Sequence, residues 1–184
     1  MRRLVGAVAL MTVFLGTAAC GRDDIAGQVR ETDTVTVTET AAPTVHRETP
    51  NTRADELCRT RGRSEGERAC VLTGGTIDQD VAFDGQRVVK LINVTATGSV
   101  KIIASGPVTV VGSTVGGTLS IRSENTVTVR ATTVRGSLEI SSARTATLIR
   151  ATVRGALDCD AVDRATGGGN AIAGQSTGVC ADIV

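Results

Sequence analysis

Two carboxylic acids recur at a fixed spacing in the sequence. Glu139 and Asp158 are 19 residues apart, and Lys101 lies two such spacings before Glu139. On neighbouring strands of a sheet, the two carboxylates would lie about 5 Å apart. A pair at this separation can share a proton, bind Ca²⁺ or act as a glycosidase pair. The sequence favours a simpler interpretation, a solvated acidic spot on a sheet face, and we predict no metal site.

Two arginines, Arg135 and Arg154, have the same spacing. Like charges on adjacent strands repel each other unless an anion lies between them. A phosphate, a uronic acid or a wall-polymer carboxylate would suit this pair, so we take Arg135 and Arg154 as a possible anion-binding site. The alternative is that exposed arginines tolerate the spacing because salt screens them.

The sequence offers little for nucleophilic catalysis. It contains no Gly-x-Ser-x-Gly motif, and its single histidine, His46, lies in a polar segment far from the residues above. Phe14 and Phe83 are the only aromatic residues, so stacking subsites for sugars or bases cannot be built. The formal net charge of +1 provides no electrostatic footprint for nucleic acid. We therefore predict no catalytic residue, no cofactor and no nucleic-acid partner.

The 19-residue spacing extends over the C-terminal part of the chain. The repeats, called rungs from here on, begin at residues 70, 89, 108, 127, 146 and 165. Position 8 of every rung is apolar, and position 10 is glycine in all rungs after the first. The glycines at position 10 are Gly98, Gly117, Gly136, Gly155 and Gly174. A fixed period of this kind indicates a structural repeat.

The pattern within a rung predicts short strands. Apolar residues at positions 1 and 3, and again at 12 and 14, alternate with threonine, polar or charged residues. We predict an all-β fold, a single-stranded right-handed parallel β-helix of five to six rungs and about 25–30 Å in length. The recurring glycine is expected at a corner that needs either a positive φ or a close backbone approach.

The two ends of such a helix need caps. Residues 55–69 are expected to cover the first rung, and residues 70–184 to form the β-helix domain, whose last rung has lost its large apolar residues. Four cysteines in this region allow three pairings; we favour Cys58–Cys70 and Cys159–Cys180, since the latter two lie roughly one rung apart.

Residues 1–19 have the features of an export signal, with two arginines, an apolar run and small residues. The end of this segment with the next residue, LGTAAC, resembles a bacterial lipoprotein lipobox. The resemblance implies that Cys20 is acylated, for example with palmitate, and anchors the mature chain to the membrane. The alternative is an ordinary secretory signal with Cys20 free or in a disulfide.

Residues 20–54 are rich in threonine and carry mixed charges, which predicts a disordered linker that contains His46 as a solvated residue. The alternating TVTVT within it could instead form a short strand. Threonines also recur in the rungs, at positions 2 and 7. Such ladders resemble those of ice-binding β-solenoids, but threonine also suits exposed strand positions.

The rung pattern T-V-x-G-x-L-x-I at residues 133–140 resembles the parallel β-helix repeats of bacterial surface proteins and polysaccharide-acting enzymes, and more loosely the bactofilins. Together with the lipobox resemblance, this leads us to expect a lipid-anchored protein on the extracytoplasmic face of the bacterial cell membrane, with a structural or binding role at the cell wall. The expected partner is a wall polymer or another envelope protein. The alternatives are a polysaccharide lyase or hydrolase and a scaffold that self-associates end to end.

Overall fold

The computed structural model describes residues 50–62 and 68–183. Three predictions fall on residues outside this part of the chain: the export signal at residues 1–19, the acylated Cys20 and all but the last five residues of the linker. They therefore remain predictions. The described residues form a single structural unit, in which strands dominate.

The chain forms a right-handed parallel β-solenoid of about six rungs, which confirms the predicted fold class. Each rung contributes one strand to each of three six-stranded parallel sheets. Sheet A contains β1 (Ala69–Thr73), β4 (Val88–Ile92), β7 (Val108–Val111), β10 (Thr126–Arg130), β13 (Thr145–Ile149) and β16 (Arg164–Gly168). Sheet B contains β2 (Thr76–Ile77), β5 (Thr95–Ala96), β8 (Thr114–Val115), β11 (Thr133–Val134), β14 (Thr152–Val153) and β17 (Ala171–Ile172). Sheet C contains β3 (Val81–Gln86), β6 (Val100–Ala104), β9 (Leu119–Ser123), β12 (Leu138–Ser141), β15 (Leu157–Asp160) and β18 (Ser176–Gly178).

The predicted 19-residue period is the register of all three sheets. Val108 pairs with Val127 in sheet A, and Leu138 with Leu157 in sheet C. Residues at the same rung position therefore stack directly above one another. The inward positions fill the interior with Val, Leu, Ile and Ala, and side chains such as Leu119, Leu138 and Leu157 are fully buried. Each large side chain of this kind stabilises the fold by about 1.5–3 kcal/mol relative to an exposed one.

The turn from sheet A to sheet B depends on a left-handed backbone at position 5, which sequence analysis did not anticipate. All six residues at this position have φ between 47° and 69°. They are Gly74, Asn93, Gly112, Ala131, Arg150 and Gly169. The first five donate their N–H groups to carbonyls of the next rung at 2.8–3.1 Å. The repeated hydrogen bond therefore holds alanine and arginine in a conformation that usually favours glycine.

Buried hydroxyl groups at position 6 complete this turn. Ser113 and Thr132 are almost fully buried. The Ser113 hydroxyl donates to the Val111 carbonyl at 3.0 Å, and the Thr132 hydroxyl donates to the Arg130 carbonyl at 2.9 Å. These bonds satisfy the buried hydroxyl groups themselves, so the interior tolerates these two polar side chains.

The glycines at position 10 form the second corner, where glycine is required because the backbones of neighbouring rungs approach closely. None of them has a positive φ. The N–H of Gly136 donates to the carbonyl of Gly117 at 3.0 Å, and a Cβ on Gly136 would lie 2.7 Å from the Gly117 carbonyl carbon. Neighbouring rungs therefore pass too close together here for any side chain.

Each end of the solenoid is covered by a short element and fastened by a disulfide. Helix α1 (Pro50–Thr60) packs Ala54 against the first rung and begins within the segment assigned to the linker. Disulfides join Cys58 to Cys70 and Cys159 to Cys180, the favoured pairing, with Cα–Cα distances of 5.2 and 5.6 Å. After β18, the helix η1 (Ala181–Ile183) follows Cys180, and Asn170 donates to the Ile183 carbonyl at 2.7 Å.

Replacing Ala131 with glycine should stabilise the protein. Ala131 is exposed and has φ of 47°, so the substitution relieves a left-handed conformation without leaving a cavity. We expect the free energy of unfolding to rise by about 1 kcal/mol. Denaturant unfolding measures this change, with Ala146→Gly, the same substitution at a buried strand position, as a destabilised control. An equal loss of stability in both variants would contradict the conclusion that the left-handed conformation of Ala131 is strained.

Replacing Gly136 with alanine should destabilise the protein, because the new methyl group meets the backbone of the previous rung. We expect a loss of about 1–3 kcal/mol, the usual cost of overpacking. Gly168→Ala is the matched control, since a Cβ there has no neighbour within 4 Å. Thermal unfolding of the two variants should differ clearly, and equal midpoints would show that the corner can relax.

Candidate functional site

The two carboxylates singled out from the sequence lie side by side on the outer surface of sheet C. Glu139 in β12 is the direct register partner of Asp158 in β15. Glu139 is exposed, and Asp158 is partly buried, with its carboxylate accepting a short hydrogen bond from the Thr177 hydroxyl. One of the two carboxylates therefore already has a protein partner.

A cationic groove lies beside this pair on the same sheet. It has a volume of about 210 Å³, and its polar lining consists of Lys101, Ser120, Arg122 and Ser141. Lys101 is the register partner of Ser120, and Arg122 that of Ser141. Neither Glu139 nor Asp158 lines the groove. The repeat places Arg122 at outward position 15, so reading this position alongside position 13 would have found the groove from the sequence.

The outward residues of sheet C, at positions 13 and 15, are called the sheet C face from here on. Its charges are sorted by rung. Lys101 and Arg122 belong to rungs 2 and 3, whereas Glu139, Asp158 and Asp160 belong to rungs 4 and 5; a fourth carboxylate, the exposed Asp84, lies at position 15 of rung 1. Rungs 2 and 3 thus form a basic half of the face and rungs 4 and 5 form an acidic half, and Asp84 lies beyond the basic half.

Arg135 and Arg154 lie at the corner between sheets B and C, directly after β11 and β14. Their backbone N–H groups donate to the carbonyls of Val115 and Val134, both at 2.9 Å, so their Cα atoms follow the rung spacing of about 4.8 Å. Both side chains are exposed. The structure thus places two guanidinium groups on neighbouring rungs with open access from solvent.

The threonine ladders contribute to the stacking of sheets A and B. Thr109, Thr128, Thr147 and Thr166 are in register at position 2, and the hydroxyls of Thr147 and Thr166 are 3.2 Å apart. Side-by-side threonines occur in sheet A only in rungs 4 and 5, as Thr126 with Thr128 and Thr145 with Thr147. These features fit hydrogen bonding between rungs.

A second groove, of about 350 Å³, lies between α1 and the first rung. Its polar lining consists of Arg53, Glu56, Thr60, Thr76, Asp78 and Gln79. This groove was not predicted, because helix α1 was not predicted. Within residues 50–62 and 68–183, no group of three or more His, Cys, Asp or Glu side chains could hold a metal ion.

Comparison with protein-family models, with curated proteins and with solved structures finds no match to this chain. In the part of the chain that the structure describes, no helix is long and apolar enough to cross a membrane. All four cysteines in that part are in disulfides, so none of them offers a free thiol. The chemistry available there is that of charged and hydroxyl groups on outer surfaces.

Proposed function

We propose that the protein is an extracytoplasmic envelope protein, lipid-anchored through Cys20, whose solenoid binds an anionic cell-wall polymer through Arg135 and Arg154. The observation that carries the proposal is the exposure of both arginines on neighbouring rungs. The export pattern of residues 1–19 and the small residues before Cys20 support the location.

The packing of the solenoid favours a surface function. Apolar side chains fill its interior, and its first and last rungs carry α1 and η1 together with the two disulfides. A rigid rod with a filled interior can present side chains at fixed spacings but has no internal room for a substrate. Residues on the outer surfaces are therefore the ones available to a partner.

The spacing of the two arginines suits a repeating anion. Guanidinium groups form bidentate hydrogen bonds with carboxylates and phosphates, and two of them about 4.8 Å apart can hold one anion between them. Exposed pairs of this kind bind weakly on their own. A polymer with many anionic groups increases the effective concentration of the next site, so several anchored copies would hold it firmly.

Binding to isolated bacterial cell walls tests this proposal. We expect the full chain to co-sediment with the walls, and Arg135→Ala combined with Arg154→Ala to reduce the bound fraction at least about fivefold. Added salt should weaken binding by the wild type, because the interaction is ionic.

The matched control is Arg87→Ala combined with Arg144→Ala, which removes two exposed arginines that lie three rungs apart. This variant carries the same change in net charge and should bind as the wild type does. Equal loss in both double variants would indicate nonspecific attraction. No binding by the wild type would remove the cell-wall role.

A second candidate, a β-helix polysaccharide lyase or hydrolase, rests on the adjacent carboxylates of Glu139 and Asp158. The groove next to them supplies Lys101 and Arg122, which could hold an acidic sugar. Release of reducing or unsaturated ends from acidic polysaccharides, abolished by Glu139→Gln, would favour this candidate over simple binding.

A further inference from the structure

We propose that two copies of this chain associate through their sheet C faces, with the solenoid axes antiparallel. The basic half of each face then lies against the acidic half of the other. The proposal does not depend on the cell-wall function, because Arg135 and Arg154 lie at the corner before this sheet rather than on its face.

The charged residues of the sheet C face are available to a partner with a complementary pattern of charges. Lys101, Arg122, Glu139 and Asp160 are all exposed. Within the described part of the chain, no ion pair joins the two cations to the three carboxylates. Three of the carboxylates lie together at one end of the face with only the Thr177 hydroxyl bound to one of them. A single copy thus leaves Lys101 and Arg122 without an ion pair to the carboxylates of rungs 4 and 5.

A two-fold axis parallel to the strands brings the opposite charges together. With the axis between rungs 3 and 4, rung 2 lies over rung 5 of the second copy, and rung 3 over rung 4. Lys101 then lies opposite Asp158 of the second copy, since both occupy position 13. Arg122 lies opposite Ser141 and diagonally across from Glu139 of that copy. Every such contact occurs twice, as in any isologous interface.

The other simple arrangement, with the two-fold axis parallel to the solenoid axis, is unfavourable. It exchanges positions 13 and 15 within each rung, so Asp158 would lie over Asp160 of the second copy. Like charges that face each other are destabilising. Electrostatic complementarity therefore selects the antiparallel arrangement.

The shape and size of the face predict a weak dimer. Small residues separate the charged ones, with Ala82, Ser120 and Ser141 on three different rungs, so two faces can approach at the usual sheet spacing of about 10 Å. Six strands about 4.8 Å apart, each about 15 Å long, give a contact of roughly 400 Å² per copy. Stable interfaces bury about 800 Å² per partner, so we expect a transient, salt-sensitive dimer.

Sedimentation velocity of the full chain, produced with its disulfides formed, tests the proposal. The acidic variant carries Lys101→Glu and Arg122→Glu, and the basic variant carries Glu139→Lys and Asp158→Lys. The control, Arg135→Glu with Arg154→Glu, changes the net charge as the acidic variant does but lies outside the sheet C face.

The wild type and the control should dimerise with increasing concentration at low ionic strength, and the wild-type dimer should dissociate in about 1 M salt, where the Debye length is about 3 Å. The acidic and basic variants should each remain monomeric, because position 101 then has the same sign of charge as position 158 of the second copy, and position 122 the same sign as position 139. An equimolar mixture of the two should form a dimer, since their faces are then complementary.

Two results would overturn the proposal. One is a mixture of the acidic and basic variants that remains monomeric at every concentration. The other is an acidic variant that dimerises as strongly as the wild type, which would place the interface elsewhere, for instance at the strand edges of the terminal rungs. Circular dichroism of each variant verifies that the solenoid is intact, and the mixture supplies a positive signal that misfolded chains could not produce.

Discussion

The constant register between rungs is the constraint on which the rest of the structure depends. The strands of the inner rungs pair with strands 19 residues before and after them, as in Thr133 with Thr114 and Thr152, and within the described strands the register shifts only at a bulge between Asp84 and Gln86. The backbone of each rung must therefore follow the path of its neighbours, including at the corners. Position 5 adopts a left-handed conformation even where the residue is Ala131 or Arg150, and position 10 excludes side chains from Gly98 onward. The gain from a continuous hydrogen-bond ladder outweighs the local cost of about 1–2 kcal/mol at each strained residue.

This constraint also explains which features could be predicted from the sequence. Stacked residues share an environment, so the columns of apolar residues and glycines revealed the period, the fold class and the neighbourhood of Cys159 and Cys180. The left-handed conformation at position 5 was not predicted. Gly74, Asn93 and Gly112 are residue types that favour it, but Ala131 and Arg150 at the same position obscure the pattern. Helix α1 was missed because it lies outside the repeat and forms only where Ala54 and Leu57 can pack on the first rung.

The candidate sites depend on the same geometry. A solenoid converts one residue per rung into a row with a spacing of about 4.8 Å, so the spacing alone placed Glu139 beside Asp158 and Arg135 near Arg154. The groove between Lys101 and Arg122 spans two positions and three rungs, because its hydroxyl lining comes from Ser120 on the rung of Arg122 and from Ser141 on the next rung. Such a site can be predicted from the sequence only when neighbouring rung positions are considered together as one surface.

The two charged surfaces differ in the kind of partner that would offset the repulsion between their like charges. The arginines at the corner repel each other within one copy, and only an external anion can offset that repulsion. On the sheet C face the required opposite charge is already present, three rungs away from Lys101 at Asp158, where the rigid stack prevents the two from meeting in one copy. A second, antiparallel copy brings them together without any change in the backbone. Such a dimer would also carry an arginine pair on each copy, and a polymer that reached both would be bound more firmly than by either alone.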